Sequence, residues 1–551
     1  MSDMPVVVQH APAFDEREAA DLSRRLFGVE GAAERLPSER DQNFLVTSAD
    51  GSRFVLKIAN ATEAPEILDF QNSAIEHVRA RSARLALPRI LRNVNGGQIA
   101  RAEGRAGLTH FVRLFTYVPG AVLAEVNPHS DALLESLGGR LAEMDQALDG
   151  FAHPSMDRPF PWDLARAGWV RSESRRIADP EKRAAVERCL DRFETNVAPR
   201  LSALRTQVIH NDWNDRNVLV SLPAAADREV VGAIDFGDMV RSCLVGDLAV
   251  AAAYAMLGKP DPVAAAASIV RGYHRILPLA EAEIAVLYDL ICIRLCLSIA
   301  MAARQGDAAP GNAYLQISQQ GVWRLLAELM AVPPQLAHYM FRQACGLQPC
   351  PQTGPIVGWL ERQRHTFTRV VDQDLRSEPL AVLDLSVGSP AIRNVTDVTD
   401  AARFARLVTD QVERAGAVAG IGRYDEVRLA YTSPIFARRG NDGPENRTVH
   451  LGIDIFVPPG TPVYAPLDGV IHSFRNNAGP LDYGPTIVLE HRIPGGSDDP
   501  PDSAAPDPSR AAFYTLYGHL SPQSLAGLEP GASVSRGEWI SAIGETADNG
   551  E

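Results

Sequence analysis

The stretch VIHNDWNDRNVLV, residues 208–220, places a histidine, aspartates and asparagines between two apolar runs. The apolar runs predict two strands, and Asn and Asp favour the turn between them because their side chains bond to nearby backbone. About eighteen residues after this turn, IDFGD at 234–238 follows another apolar run. A plain surface turn is one interpretation of each stretch taken alone. Their order and spacing favour a catalytic loop.

Residues of the right type for phosphoryl transfer occur in these stretches and upstream of them. His210, Asp212 and Asn217 form the pattern H-x-D-x-x-x-x-N, Asp235 opens D-F-G, and Lys57 ends the predicted strand FVLKI. Transfer from ATP needs a carboxylate for the acceptor hydroxyl, oxygen ligands for Mg²⁺ and a lysine on the phosphates. The pattern therefore predicts a kinase that uses ATP and Mg²⁺.

The combination of HNDWNDRN with IDFGD resembles the aminoglycoside phosphotransferase and choline-kinase-like branch of the protein-kinase fold. SERDQNFLV…FVLKI, residues 38–58, is similar to the hydroxylysine-kinase and homoserine-kinase type within that branch. The resemblance covers about residues 15–335. It implies Lys57 on the ATP phosphates, Asp212 as the catalytic base, and Asn217 and Asp235 as Mg²⁺ ligands.

The same resemblance implies that a loop at 38–43, with Ser38 and Asn43, covers the nucleotide. It also implies a carboxylate partner for Lys57 on the helix predicted at 63–80. That partner stays open among Glu66, Asp69 and Glu76. We interpret His210 as a structural brace of the loop.

A second group of residues lies in VHLGIDIFVPPGTPVYAPLDGVI and FYTLYGHL. His450, Gly452 and Asp454 alternate along a predicted strand and should share one face, as a Zn²⁺ site requires. This region, 448–551, resembles the lysostaphin-like zinc endopeptidases. The resemblance implies His450 and Asp454 as zinc ligands and His519 as a catalytic residue. The third ligand of that family comes from a later H-x-H motif, so we expect this domain to be incomplete at its C-terminus.

The acceptor is expected to be a small hydroxyl-bearing amine: hydroxylysine, homoserine, ethanolamine or a choline-like compound. Asp238 could contact its ammonium group, although a turn cap explains this residue equally well. The order of domains resembles the front part of fusions with a class-III aminotransferase, which implies pyridoxal phosphate only if such a module follows. The alternatives are an aminoglycoside phosphotransferase and a zinc metallopeptidase regulated by a kinase-like domain.

Composition limits the partners and the compartment. The net charge of −14 and a pI near 5.5 argue against broad binding to nucleic acid or anionic lipid. The N-terminus lacks the pattern of a signal peptide, and Asp289 and Arg294 interrupt the apolar stretch at 284–300, which we interpret as a buried helix. Six cysteines without metal-site spacing fit a cytoplasmic protein. The oligomeric state stays open.

The predicted fold is multidomain: an α+β, bilobal, protein-kinase-like fold, then a linker, then an all-β lysostaphin-like domain. Expected elements include a hairpin at 42–58, helices at 63–80, 131–149, within 243–330 and at 399–416, and a disordered insertion at 494–510. The predicted domains are the kinase-like N-lobe at 15–120, the helical C-lobe at 121–335, the linker at 336–440 and the β domain at 441–551.

Overall fold

The computed structural model divides the chain by its internal contacts into two units, Met1–Pro349 and Cys350–Glu551. It describes residues 10–38, 40–221, 228–308, 313–441, 443–493 and 511–546. The predicted insertion at 494–510 lies outside the described residues.

The N-terminal lobe of the first unit is an antiparallel sheet with a helix before it and a helix after its third strand. Its elements are α1 (Glu16–Phe27), β1 (Gly31–Leu36), β2 (Gln42–Ser48), β3 (Arg53–Ile58), α2 (Pro65–Arg81), β4 (Ala100–Glu103) and β5 (Thr109–Thr116). The strand order is β1-β2-β3-β5-β4. The predicted hairpin is thus confirmed, and Gly51 takes a φ of +83° in its turn, which costs glycine little.

The two faces of this sheet differ in character because side chains alternate along each strand. One face is buried with α1 in an apolar cluster that includes Phe44, Val46, Leu56 and Ile58. Burying each such side chain stabilises the fold by roughly 1.5–3 kcal/mol. Asn43 on β2 pairs in register with Lys57 on β3, so both side chains lie on the opposite face.

The larger lobe is mostly helical, as predicted. Its elements are β6 (Ala121–Val122), α3 (Asp131–Leu148), α4 (Val170–Glu173), α5 (Pro180–Arg192), β7 (Thr206–Ile209), β8 (Val218–Val220), β9 (Val230–Ala233), β10 (Val240–Cys243), α6 (Val245–Ala255), α7 (Pro262–Ile276), α8 (Glu281–Ala308), α9 (Ala313–Met330) and α10 (Pro334–Ala344). Asp and Ser residues cap several of these helices; Ser130, for example, accepts a hydrogen bond from the N–H of Leu133 at the start of α3.

The predicted strand, turn and strand at 208–220 are β7, residues 210–217 and β8. The two strands do not pair with each other, because β7 pairs with β10 while β8 lies between β6 and β9. The loop at 210–217 therefore connects two small sheets, and the segment 234–239 returns between the same two sheets. This topology brings both motifs to one place.

Helix α8 is the one described helix that is long and apolar enough to cross a membrane by length and composition alone. Its apolar stretch lies in Glu281–Arg304, and 83% of the qualifying window is buried inside the protein. This is the buried helix that the sequence predicts.

Helices α3 and α7 cross at a contact that only glycine permits. A Cβ atom added at Gly138 would lie 1.9 Å from the carbonyl oxygen of Ile269, and one added at Gly272 would lie 1.9 Å from that of Glu135. Backbone atoms cannot yield as a flexible side chain can. The missing side chains thus set how closely the two helices approach.

We expect Gly138→Ala to lower the free energy of unfolding by about 2 kcal/mol, because the added methyl group forces the helices apart. Gly139→Ala is the matched control, since its Cβ would meet its nearest atom, the Gly272 carbonyl oxygen, at 3.7 Å. Alanine there should leave stability unchanged or raise it by about 0.5–1 kcal/mol through helix propensity. Urea unfolding followed by tryptophan fluorescence measures both, and equal stability of the two variants would contradict the prediction.

The second unit combines short helices with many short strands. Its elements are α11 (Thr353–Gln363), β11 (Leu380–Leu383), α12 (Thr396–Thr399), α13 (Ala401–Arg414), β12 (Ala419–Gly422), β13 (Glu426–Val427), β14 (Ala437–Gly440), β15 (Gly443–Asn446), β16 (Val449–His450), β17 (Asp454–Phe456), β18 (Pro462–Tyr464), β19 (Gly469–Asn477), β20 (Gly484–Arg492), β21 (Ala512–Tyr517), β22 (Ser533–Val534) and β23 (Trp539–Ala542). Strands β21-β20-β19-β22 form one sheet, and β11-β12-β17 form another. The latter joins the range predicted as a linker to the β domain.

Candidate active site

The loop at 210–217 is held from below by a buried carboxylate. Asp247, near the start of α6, accepts hydrogen bonds from the backbone N–H groups of His210 at 3.0 Å and Asn211 at 2.7 Å. Burial raises the pKa of Asp247 to about 6. Asn211 adopts a φ of 65°, which asparagine tolerates better than most residues. The anchor fixes the direction in which the following residues leave the strand.

His210 is fully buried and packs edge-on against Phe236, with ring centroids 4.7 Å apart. Its Nδ1 accepts the backbone N–H of Asp212 at 3.3 Å. Burial lowers its pKa to about 4, so the ring is neutral at physiological pH. This placement supports the structural role predicted for His210.

Asp212 lies at the centre of a hydrogen-bond network. Its Oδ1 accepts from Asn214 Nδ2 at 2.9 Å and from Arg294 Nη2 at 3.1 Å, and its Oδ2 accepts from Asn217 Nδ2 at 2.7 Å. Burial raises the pKa of Asp212 to about 7, helped by the charges of Asp238 and Asp235 and opposed by Arg294. A carboxylate with a pKa near neutrality suits a general base.

Asn217 and Asp235 meet at the end of the ladder between β8 and β9. The backbone N–H of Ile234 donates to the carbonyl oxygen of Asn217 at 2.9 Å, which places the two side-chain positions next to each other. The amide nitrogen of Asn217 already donates to Asp212, so its oxygen is left for another partner. The Asp235 side chain is 44% exposed. An amide oxygen and an accessible carboxylate fit a Mg²⁺ ion.

Lys57 reaches across the cleft between the lobes to Asp235. Its Nζ lies 2.9 Å from Asp235 Oδ1, which also accepts the backbone N–H of Gly237 at 3.3 Å. The Lys57 ammonium holds the pKa of Asp235 well below its usual range. The predicted lysine and the predicted metal ligand are therefore in direct contact.

The expectation that a carboxylate on the helix at 63–80 pairs with Lys57 is wrong in this structure. Glu66, Asp69 and Glu76 all lie on the exposed face of α2. Asp69 contacts His153 at 3.3 Å, and Glu76 accepts from Gln98. The face of α2 that turns inward carries neutral polar groups instead, including Gln71 and Asn72. Spacing along the sequence did not reveal which face of α2 is buried.

Two described residues of the stretch expected to cover the nucleotide, Arg40 and Asn43, lie next to Asp238 and Lys57 respectively. The Ser38 hydroxyl donates to the carbonyl oxygen of Asp41, which shapes the loop. Asn43 Oδ1 is buried and has no hydrogen-bond partner among the described residues, and the side chain lies beside Lys57. An orphaned acceptor next to a lysine fits a site that receives a polar ligand. The role of Ser38 and Asn43 toward ATP stays a prediction.

Arginines that sequence analysis passed over complete this region. Arg40 Nη2 lies 3.1 Å from Asp238 Oδ1, and Arg158 donates to the carbonyl oxygens of Gly237 at 2.7 Å and Met239 at 3.1 Å. Asp238 therefore has as its partner in this structure a cation from the loop that is predicted to cover the nucleotide. Arg294 could have been identified from the sequence as a residue with a buried partner, because a charged side chain within an apolar helix needs one.

In the second unit, His450 and Asp454 come together but do not share one strand. His450 ends β16 and Asp454 begins β17, and the exposed Leu451 and Ile453 interrupt the pairing. His450 Nε2 lies 3.5 Å from Asp454 Oδ1. The single strand predicted for H-x-G-x-D is thus wrong, whereas the predicted proximity of the two side chains is present.

The fit of these two residues to Zn²⁺ is incomplete among the described residues. Arg428 Nη2 lies 2.6 Å from Asp454 Oδ2, so a guanidinium already contacts the carboxylate that a metal would need as a ligand. The described part of the chain has no group of three His, Cys, Asp or Glu side chains suited to a metal ion. His519 follows β21, and its backbone N–H donates to the Tyr483 carbonyl oxygen at 2.7 Å. Zinc binding and a catalytic role of His519 stay predictions.

Comparisons with known proteins agree with the two resemblances. The family model "Phosphotransferase enzyme family" matches residues 32–286, and "Peptidase family M23" matches 448–551. Hydroxylysine kinase from Mus musculus is 31% identical over 338 residues, covering 58% of this chain and 90% of the relative. Hydroxylysine kinase from Danio rerio is 29% identical over 332 residues, covering 58% of this chain and 92% of the relative.

A solved microcompartment-associated aminopropanol kinase is 18% identical with a TM-score of 0.47, and the match covers 61% of this chain and all of that structure. Since the sequence match extends over nine-tenths of a relative that is 31% identical, the chain belongs to the phosphotransferase enzyme family, as a small-molecule kinase that carries a peptidase family M23 domain.

Proposed function

We propose that the first unit transfers the terminal phosphoryl group of ATP, with Mg²⁺, to the hydroxyl group of a small amine or amino acid, hydroxylysine being the leading acceptor. The observation that carries the proposal is the meeting of Lys57, Asp235, Asn217 and Asp212 in one cleft. The similarity to hydroxylysine kinases supports the choice of acceptor.

Each residue has a role in this proposal that its contacts support. Asp212 accepts the proton of the acceptor hydroxyl, since its pKa near 7 lets it hold and release a proton at neutral pH. Asn217 and Asp235 hold the metal, and Lys57 holds phosphate oxygens. Bound Mg²⁺ would neutralise negative charge on the phosphates. The protein contributes mainly position and electrostatic stabilisation, as in other phosphoryl transfers.

The test is acceptor-dependent formation of ADP by the intact chain. Hydroxylysine, homoserine, ethanolamine, choline and an aminoglycoside are compared at equal ATP and Mg²⁺. We expect hydroxylysine to give the highest kcat/KM, and chelation of Mg²⁺ to stop the reaction until the metal is restored. Faster turnover of the aminoglycoside would reassign the acceptor, and no turnover with any compound would refute the proposal.

A further inference from the structure

A buried arginine contacts the proposed base from a helix that has no part in the predicted motifs. Arg294 lies in the middle of α8, its side chain is 2% exposed, and its Nη2 lies 3.1 Å from Asp212 Oδ1. A charge in such a position is costly unless an opposite charge balances it. Because Arg294 is buried beside Asp212, the contact cannot be an incidental ion pair on a solvated surface.

Two aromatic rings hold the guanidinium of Arg294 in place. Its central carbon lies 4.4 Å from the ring centroid of Trp162 and 5.4 Å from that of Tyr254. Nη2 also donates to the Tyr254 hydroxyl at 3.4 Å. Cation–π contacts of this kind are strengthened when they are desolvated. The rings therefore leave the guanidinium few alternative positions.

The guanidinium uses only one of its nitrogens in these hydrogen bonds. Nε and Nη1 are buried and have no hydrogen-bond partner among the described residues. Leaving buried donors unpaired costs stability, and such groups call for an explanation in function. The paired nitrogen, Nη2, contacts Asp212 and the Tyr254 hydroxyl, so the only opposite charge that this arginine touches through a hydrogen bond in the described residues is that of Asp212.

Resting on the proposed function, we propose that Arg294 is a positioning residue for the phosphorylation reaction. Held by its contacts with Trp162 and Tyr254, it fixes the orientation of the Asp212 carboxylate and balances its charge. Asp212 Oδ1 is then occupied by Arg294 and Asn214, and Oδ2 by Asn217 alone. Oδ2 is the oxygen with room for an acceptor hydroxyl.

The contacts of Arg294 set the direction of the effect. Two donors bind Oδ1 of Asp212, and Arg294 at 3.1 Å is the charged one, fixed in turn by burial and by two aromatic rings. Loss of Arg294 therefore lets the Asp212 carboxylate rotate, and Oδ2 is less often directed at the acceptor hydroxyl.

The experiment measures kcat and KM for Arg294→Met, Arg294→Lys and wild type at one pH, with hydroxylysine as the acceptor. For Arg294→Met we expect kcat to fall about 10–100-fold, because a small misplacement of the base is costly to catalysis. The KM values for ATP and for hydroxylysine should stay unchanged, since the lost contact orients the base and binds neither substrate. Arg294→Lys, which keeps the positive charge, should recover part of kcat.

Arg192→Met is the matched control. Arg192 ends α5 and forms an ion pair with Asp289 on α8, the helix that carries Arg294, and it also packs on the ring of Tyr288. This variant should affect stability while leaving kcat and both KM values unchanged. An Arg294→Met protein that melts like wild type and keeps the kcat of wild type would overturn the proposal. So would a variant that raises only the KM for acceptors with a carboxylate, which would indicate direct contact with the acceptor. If wild type itself forms no ADP with any acceptor, the proposed function fails instead.

Discussion

Asp212→Asn is expected to lower kcat for phosphorylation of hydroxylysine by about 10²–10⁴-fold, the usual contribution of a general base. Asparagine keeps the size of the side chain, but its amide accepts no proton from the acceptor hydroxyl. It also leaves Arg294 without the charge that faces it at 3.1 Å. Steady-state kinetics with a coupled ADP assay measures the change, and a thermal melt verifies that the variant is folded.

Asp157→Asn makes the same chemical change at an exposed carboxylate that pairs with Arg241. It should leave kcat within about twofold of wild type. A second measure of the same base is the pH profile of wild type. Because protonated Asp212 cannot accept a proton, kcat/KM should fall as the pH drops through about 7. Turnover of Asp212→Asn close to that of wild type would remove Asp212 from the role of base.

Lys57→Met is expected to lower kcat/KM for ATP by about 10²–10³-fold, comparable to the loss of one transition-state donor elsewhere. The substitution removes the ammonium that lies in the cleft 2.9 Å from Asp235. Asp235 would then face the phosphates without a compensating cation. Kinetics at varied ATP, with calorimetry of nucleotide binding, separates loss of affinity from loss of turnover.

Lys57 is one of three lysines in a chain of 551 residues, in which arginine is the usual cation. Lys182→Met is the matched control, since Lys182 lies on α5 and its Nζ sits 5.1 Å from the Trp323 ring centroid. That variant should retain wild-type kinetics. Equal effects of the two substitutions would show that the loss is one of stability rather than of phosphate binding.

Much of the fold follows from local patterns. The hairpin around Gly51 and the helices Pro65–Arg81 and Asp131–Leu148 were predicted to within two residues at each end. Helix Glu16–Phe27 was not predicted, although Asp15 and Glu18 form a capping box that marks its start. The strand pairing could not be predicted from the sequence, because β7 pairs with β10, which follows the turn at a distance, and β8 pairs with β6, which precedes the turn by a long stretch of chain.

The candidate site was predictable where a motif carries the residues and unpredictable where separate elements meet. Asp212, Asn217 and Asp235 stand at fixed spacing in the sequence, so the motif named them. Arg294 lies about 80 residues away on an apolar helix, and only packing places it against Asp212. The same reason hid the contacts of Arg40 with Asp238 and of Arg428 with Asp454, which join residues of different elements. The pyridoxal-phosphate module and the cytoplasmic location stay predictions.

Two residues of the site, Asn211 and Asp235, adopt left-handed backbone conformations, with φ values of 65° and 62°. Most side chains are strained there, and Asn, Asp and Gly are the residues that tolerate it. Both positions would therefore keep these residue types during neutral drift, even in a descendant that had lost its catalytic activity. If a relative keeps Asn211 and Asp235, this shows that the loop has kept its shape. Evidence that the relative is catalytically active has to come from residues whose backbone is not constrained in this way.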